Sequence, residues 1–177
     1  KNRIINGAMV IDQRNAGASF SSSTNGAYNL DRWYNQNNSG GTKFSVQQNA
    51  GSVTPPVGFT NYLGVTSSAA TSLGATDQYW VAQLIEGYNI ADLAWGSANA
   101  KSVTLSFWVR SSLTGTFGGS IANSSYNRCY PYTYTISAAN TWEQKSITVT
   151  GCPDGTWNTT NGQGLIIEFG LGVGTTY

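Results

Sequence analysis

The chain is 177 residues long, enough for one domain with a single core and short for two. Only 10% of it is charged, whereas Ser, Thr and Asn together number 57 and Gly adds 21, so hydroxyls and amides must wet its surface. Nine basic and eight acidic residues leave a net charge of +1, without the basic footprint of a nucleic-acid binder, and the absence of histidine excludes Ser-His-Asp and Cys-His catalysis and His-ligated zinc.

In chain order, short segments rich in Val, Ile, Thr and aromatic residues alternate with Gly, Asn and Ser breaks, the pattern of an all-β chain. The strands predicted are Arg3 to Asn6, Tyr28 to Tyr34, Lys43 to Gln48, Tyr62 to Thr66, Tyr79 to Ile85, Ser102 to Arg110, Tyr130 to Ile136, Trp142 to Thr150 and Gly164 to Leu171. Nine strands imply two packed antiparallel sheets, a β-sandwich. Asn89 to Trp95 is predicted as one or two helical turns capped by Asn89, and Ser19 to Gly26, Asn35 to Gly41 and Ser111 to Asn127 as loops inside a single domain, 1–177. No apolar run exceeds five residues, far below the ~20 that span a bilayer, so no membrane insertion is expected. Lys1 in place of Met reads as the start of a processed chain or of a piece of a longer one.

Cys129 precedes one predicted strand and Cys152 follows the next. If those strands form a hairpin turning at Asn140 and Thr141, the two thiols face each other, and a bridge there would add about 3 kcal/mol by restricting the unfolded chain. The alternative is two independent small core residues.

The eight carboxylates, Asp12, Asp31, Asp77, Glu86, Asp92, Glu143, Asp154 and Glu168, sit in no recognisable catalytic motif, so no enzymatic activity is expected. No cofactor is expected either. A structural calcium held by loop carbonyls and one or two carboxylates is compatible with the composition, although no EF-hand spacing supports it. Aromatics are the distinctive resource, with six Trp, ten Tyr and six Phe. On the strand Ser102 to Arg110, Val103, Leu105, Phe107 and Val109 form a core face, and Trp108 and Arg110 stand on the opposite face beside Thr104 and Ser106, as a platform for a stacked ligand or as a packing or subunit contact. Tyr130, Tyr132 and Tyr134 share one face of their strand, as core, as subunit contact or as a second platform. Trp33, Trp80, Trp142 and Trp157 are expected to pack in the core or under loops.

The opening IINGAMVIDQRNAG, then LDRW at Leu30 to Trp33, QLIEGYNIADLAWG from Gln83, VTLSFWVRSS from Val103 and TWEQKSITV from Thr141 together resemble bacteriophage virion-surface and tail-fibre-associated proteins. More distantly, the pattern is similar to carbohydrate-binding modules of families 4, 9 and 22. The resemblance implies a jelly-roll sandwich with a sugar site on a concave sheet face and a structural calcium in many members. It also implies that Trp108 and Arg110 lie on that face with Gln83 as an amide partner, and that a last strand beside Arg3 to Asn6 is missing from this chain.

The function expected is therefore a non-enzymatic domain of a tail fibre or capsid surface, extracellular on the virion, binding cell-surface or environmental glycans. Its partners would be other virion proteins or copies of itself, a trimer being the family-level expectation, and not nucleic acid. The alternatives are a purely structural decoration or filament subunit that oligomerises, and a carbohydrate-binding module of a secreted glycosidase.

Overall fold

Residues that suit a pleated surface, interrupted by Gly, Asn and Ser, favour short strands over helix. The computed structural model describes residues 1–23 and 26–177 and is all-β, 39% strand and 5% helical, with several antiparallel sheets, none closed into a barrel. This is consistent with the expected β-sandwich class. Residues 24 and 25 of the expected loop Ser19 to Gly26 lie outside the described residues. Among the described residues no helix is long and apolar enough to cross a membrane.

The strands are β1 (Phe20–Ser21), β2 (Ala27–Tyr28), β3 (Trp33–Asn37), β4 (Phe44–Gln48), β5 (Leu63–Ser67) and β6 (Gln78–Glu86). They continue with β7 (Val103–Val109), β8 (Gly115–Ala122), β9 (Cys129–Ile136), β10 (Glu143–Val149) and β11 (Gln163–Val173). The chain forms two compact units: one of Lys1–Arg3 and Leu84–Phe169, the other of Ile4–Gln83 and Gly170–Tyr177. Strands β6 and β11 contribute residues to both.

In the unit built from Ile4–Gln83 and Gly170–Tyr177, β1, β4 and β5 form one antiparallel sheet, and β2, β3 and β6 pair in a second run. Alternation on β3 buries Trp33, Asn35 and Asn37, and alternation on β4 buries Phe44 and Val46. The buried amide nitrogens are satisfied, since Asn35 Nδ2 donates to Ser22 Oγ at 2.7 Å and Asn37 Nδ2 to the Ser22 and Gly41 carbonyls at 2.6 and 2.7 Å, whereas Asn37 Oδ1 is buried without a hydrogen-bond partner among the described residues. The predicted strand Tyr28 to Tyr34 is in fact two strands around a tight turn, in which Arg32 takes a left-handed φ of 73°.

Arg3 to Asn6 is not a strand. A side chain takes the place of a neighbouring backbone there: the Gln83 amide accepts from the Ile5 N–H through Oε1 at 2.7 Å and donates to the Ile5 carbonyl through Nε2 at 2.8 Å. Satisfied locally, this segment offers no open strand edge.

In the other unit, β7 pairs with β10, and β8 pairs with β11 on one side and β9 on the other. Phe107 of β7 joins the two layers, standing edge-on to Tyr134 of β9 and to Phe169 of β11, each at 5.1 Å between ring centroids. Around it Leu105, Ile121, Tyr132, Ile136, Val149, Leu165 and Ile167 are buried. The expected loop Ser111 to Asn127 contains β8. Its glycines hide the strand signal, and pairing on both edges forms it regardless. The helix expected over Asn89 to Trp95 is two 3-10 turns, Gly87–Asn89 and Ala91–Leu93. The Asn89 side chain bonds to Glu86 and caps neither turn, and Ala94, left-handed at φ 54°, ends the second.

Candidate functional site

The β7–β10 pair sets two alternating patterns in register. Trp108 lies opposite Gln144, Ser106 opposite Ser146 and Thr104 opposite Thr148, and all six are exposed. Because residues directly paired across antiparallel strands point to the same side, these six form one outward face. Phe107, next along β7, points inward to Tyr134, so Trp108 stands on the solvent side of the layer, 37% exposed. The face is an indole at one end of a double row of hydroxyls and amides, and none of its groups is charged.

Of the charges nearby, Glu143 and Lys145 hold each other, and Arg110 is tied to a backbone carbonyl. Glu143 pairs with Lys145 at 2.6 Å and accepts the Ser137 and Ala138 backbone N–H groups at 2.8 and 2.9 Å. The Lys145 ammonium, with help from those N–H groups, pulls the Glu143 carboxyl down to about 2. Arg110, half-buried, donates from Nε to the Asn140 carbonyl at 3.0 Å, which ties the end of β7 to the turn before β10. An exposed indole beside hydroxyls and amides suits a ligand with an apolar C–H face and a rim of hydroxyls.

The other expected site residues are placed differently. Gln83 is fully buried, with its amide engaged by Ile5, so the structure removes it from any ligand surface. Tyr132 and Tyr134 face the core: Tyr132 is 5% exposed and donates to the Glu168 carbonyl at 2.7 Å, and Tyr134 packs against Phe107 and stacks on Phe117. Burial pushes the Tyr134 phenol up to about 12 and that of Tyr132 further. Tyr130 alone of the three is exposed. Trp33, Trp80 and Trp157 are buried.

Cys129 and Cys152 are both free, which corrects the expected bridge. Its premise was a β9–β10 hairpin, whereas β9 pairs with β8 and β10 with β7, so the turn between them carries the chain from one layer to the other. Cys129 lies opposite Ala122, and the Cys152 thiol points to the Asp154 carbonyl at 3.3 Å. Burial, reinforced by the Glu168 charge, pushes the Cys129 thiol up against the opposing hydrogen bond from Ser120, so it is not an activated nucleophile. Among the described residues no group of three or more His, Cys, Asp or Glu side chains is arranged to hold a metal ion.

Sequence reasoning missed Gln144, Ser146 and Thr148 as part of the face. Their alternation was readable; their partner strand was not. The burial of Glu168 was not foreseen either, although it is a lone carboxylate in the apolar run Leu165 to Phe169.

No protein-family model and no curated protein matches the chain. Among solved structures it is similar to the enzymatically active domain of tailspike protein 4 of bacteriophage CBA120, at 14% sequence identity and a TM-score of 0.52. The match covers 98% of this chain and 20% of that one, so the chain spans about a fifth of that protein's length. At this identity the likeness is one of fold. It nevertheless corrects the expectation of a chain without enzymatic activity, because the fold matched over nearly the whole chain belongs to a domain described as enzymatically active. The lack of a catalytic motif among the eight carboxylates was therefore no ground for excluding catalysis.

Proposed function

We propose that the chain is part of a phage tail protein on the virion surface and that the outward face of β7 and β10 holds an uncharged glycan. Trp108 stacks on a sugar ring while Ser106, Ser146 and Gln144 exchange hydrogen bonds with its hydroxyls, and Arg110 steadies the strand end from which the indole projects. The observation that carries this reading is Trp108, 37% exposed, in register with Gln144 on a face without charges. An exposed indole costs solvation unless something covers it, and the neutral hydroxyl rows around it match a neutral polyol better than a charged or wholly apolar partner. The fold likeness to a tailspike domain supports the virion-surface setting, in which other tail proteins or further copies of this chain are the expected neighbours.

The test is a glycan array followed by calorimetry on the best-bound oligosaccharide, with wild type and Trp108→Ala. The expected result is an affinity loss of about tenfold or more, the loss of roughly 1.4 kcal/mol or more of stacking, at an unchanged unfolding midpoint. Equal affinity after the substitution overturns the reading.

A further inference from the structure

In the same unit as Trp108, β11 carries a carboxylate whose hydrogen-bond partners among the described residues are hydroxyls. Glu168 is 8% exposed and lies opposite Ser120 of β8. Ser120 Oγ donates to its Oε2, and the Tyr126 phenol donates to its Oε1 at 2.7 Å. Burying a carboxylate is costly, and hydroxyls compensate it less fully than a guanidinium or ammonium would.

Register places this carboxylate on a surface. Glu168, Ser120 and Pro131 are directly paired in turn across β11, β8 and β9 and so share one side of the sheet, the side opposite Tyr132 and Phe169. Pro131 and Thr133 are exposed there, and directly opposite Thr133 on β8 Gly118 leaves the floor low: a Cβ on it would touch nothing nearer than the Tyr132 carbonyl at 3.5 Å. The result is a shallow trough lined with hydroxyls that ends at Glu168. Tyr126 closes that end. It is 53% exposed yet is held in a left-handed conformation at φ 53°, which is costly for a bulky residue and concentrates where side chains must be aimed for function.

We propose that this trough is a second saccharide-binding site, in which Tyr126 swings its hydroxyl off Glu168 and two neighbouring sugar hydroxyls donate to the freed carboxylate, with the Tyr126 ring as a stacking wall. The exchange puts hydroxyl for hydroxyl, so the carboxylate is never left unpaired. The inference rests on the reading of this chain as a glycan binder but uses no residue of the Trp108 face.

The experiment measures affinity and stoichiometry for the best-bound array oligosaccharide in wild type, Glu168→Gln, Tyr126→Phe and Trp108→Ala, with amide shifts of Gly118, Ser120 and Thr133 followed by NMR. Glu168→Gln keeps the shape and removes the charge; it is expected to weaken binding about tenfold or to remove one of two sites, and to abolish the three amide shifts. Tyr126→Phe removes the competing hydroxyl and keeps the ring, and is expected to tighten binding, which a merely structural Tyr126 would not do. Loss with Trp108→Ala alone, with Glu168→Gln and Tyr126→Phe both unchanged, overturns this site and leaves the first standing. Loss with Glu168→Gln alone does the reverse, and a wild type that binds no glycan overturns both. If Glu168→Gln fails to fold, an unchanged or weaker Tyr126→Phe overturns the proposal by itself.

Discussion

Buried phenols make this protein's stability sensitive to alkali. Tyr132 and Tyr134 project from β9 into the core, and burial raises both above the ordinary value of 10.0, Tyr134 to about 12. Below that ordinary value the folded and unfolded chains both keep the phenolic protons, and stability is whole. As the pH rises past it the unfolded chain releases protons that the folded chain retains, so unfolding is favoured and stability falls until Tyr134 itself ionises in the folded state near 12. The urea midpoint is expected to drop between about pH 9 and about pH 11. Tyr134→Phe should make that drop shallower, with Tyr132 supplying what is left, and an equal drop in the variant would place the titration elsewhere. The same burial takes Tyr132 and Tyr134 out of any ligand platform: alternation puts the three tyrosines on one face, and the packing of Phe107 against Tyr134 turns that face inward, with Tyr130 left exposed at its end.

Among the elements, β8 shows how a glycine-rich segment becomes a central strand. Gly118 and Gly119 serve its two faces differently. A Cβ on Gly119 would run into the Glu168 carbonyl oxygen and the Tyr132 hydroxyl, so this position must be bare for the Tyr132 ring to cross β8 and bond to β11. Gly119→Ala is expected to destabilise the fold by about 3 kcal/mol or more, since backbone cannot move aside as a flexible side chain would. A thermal midpoint within a degree or so of wild type would show that the ring does not cross there. Gly118 faces the trough, and alanine fits that position by contact distance alone. The β9–β10 connection makes a related point. Glu143 gathers two N–H groups of the turn, and Arg110 takes the Asn140 carbonyl, so polar side chains hold a crossing between layers that pattern alone reads as a hairpin.

For the molecule as a whole, the free thiols give the plainest check: unfolded without reductant, the chain is expected to titrate two thiols, and a Cys129→Ser, Cys152→Ser double variant to keep the wild-type midpoint. A titre of zero would restore the bridge and with it the β9–β10 hairpin. The same pairing marks the boundary between what the residues determined and what only the fold did. The all-β class, most strand positions and the exposure of Trp108 were legible because they depend on local alternation, in which every second side chain faces the same way whatever the partner strand. Which strand pairs with which was not legible, because pairing is chosen by packing between residues far apart in sequence. With it went the Gln144, Ser146 and Thr148 half of the Trp108 face and the meeting of Glu168, Ser120 and Tyr126. Gln83 shows the limit most plainly: a polar residue on a strand reads as a surface group until the tertiary structure supplies the Ile5 backbone it pairs with, and a satisfied amide can be buried where an unsatisfied one cannot.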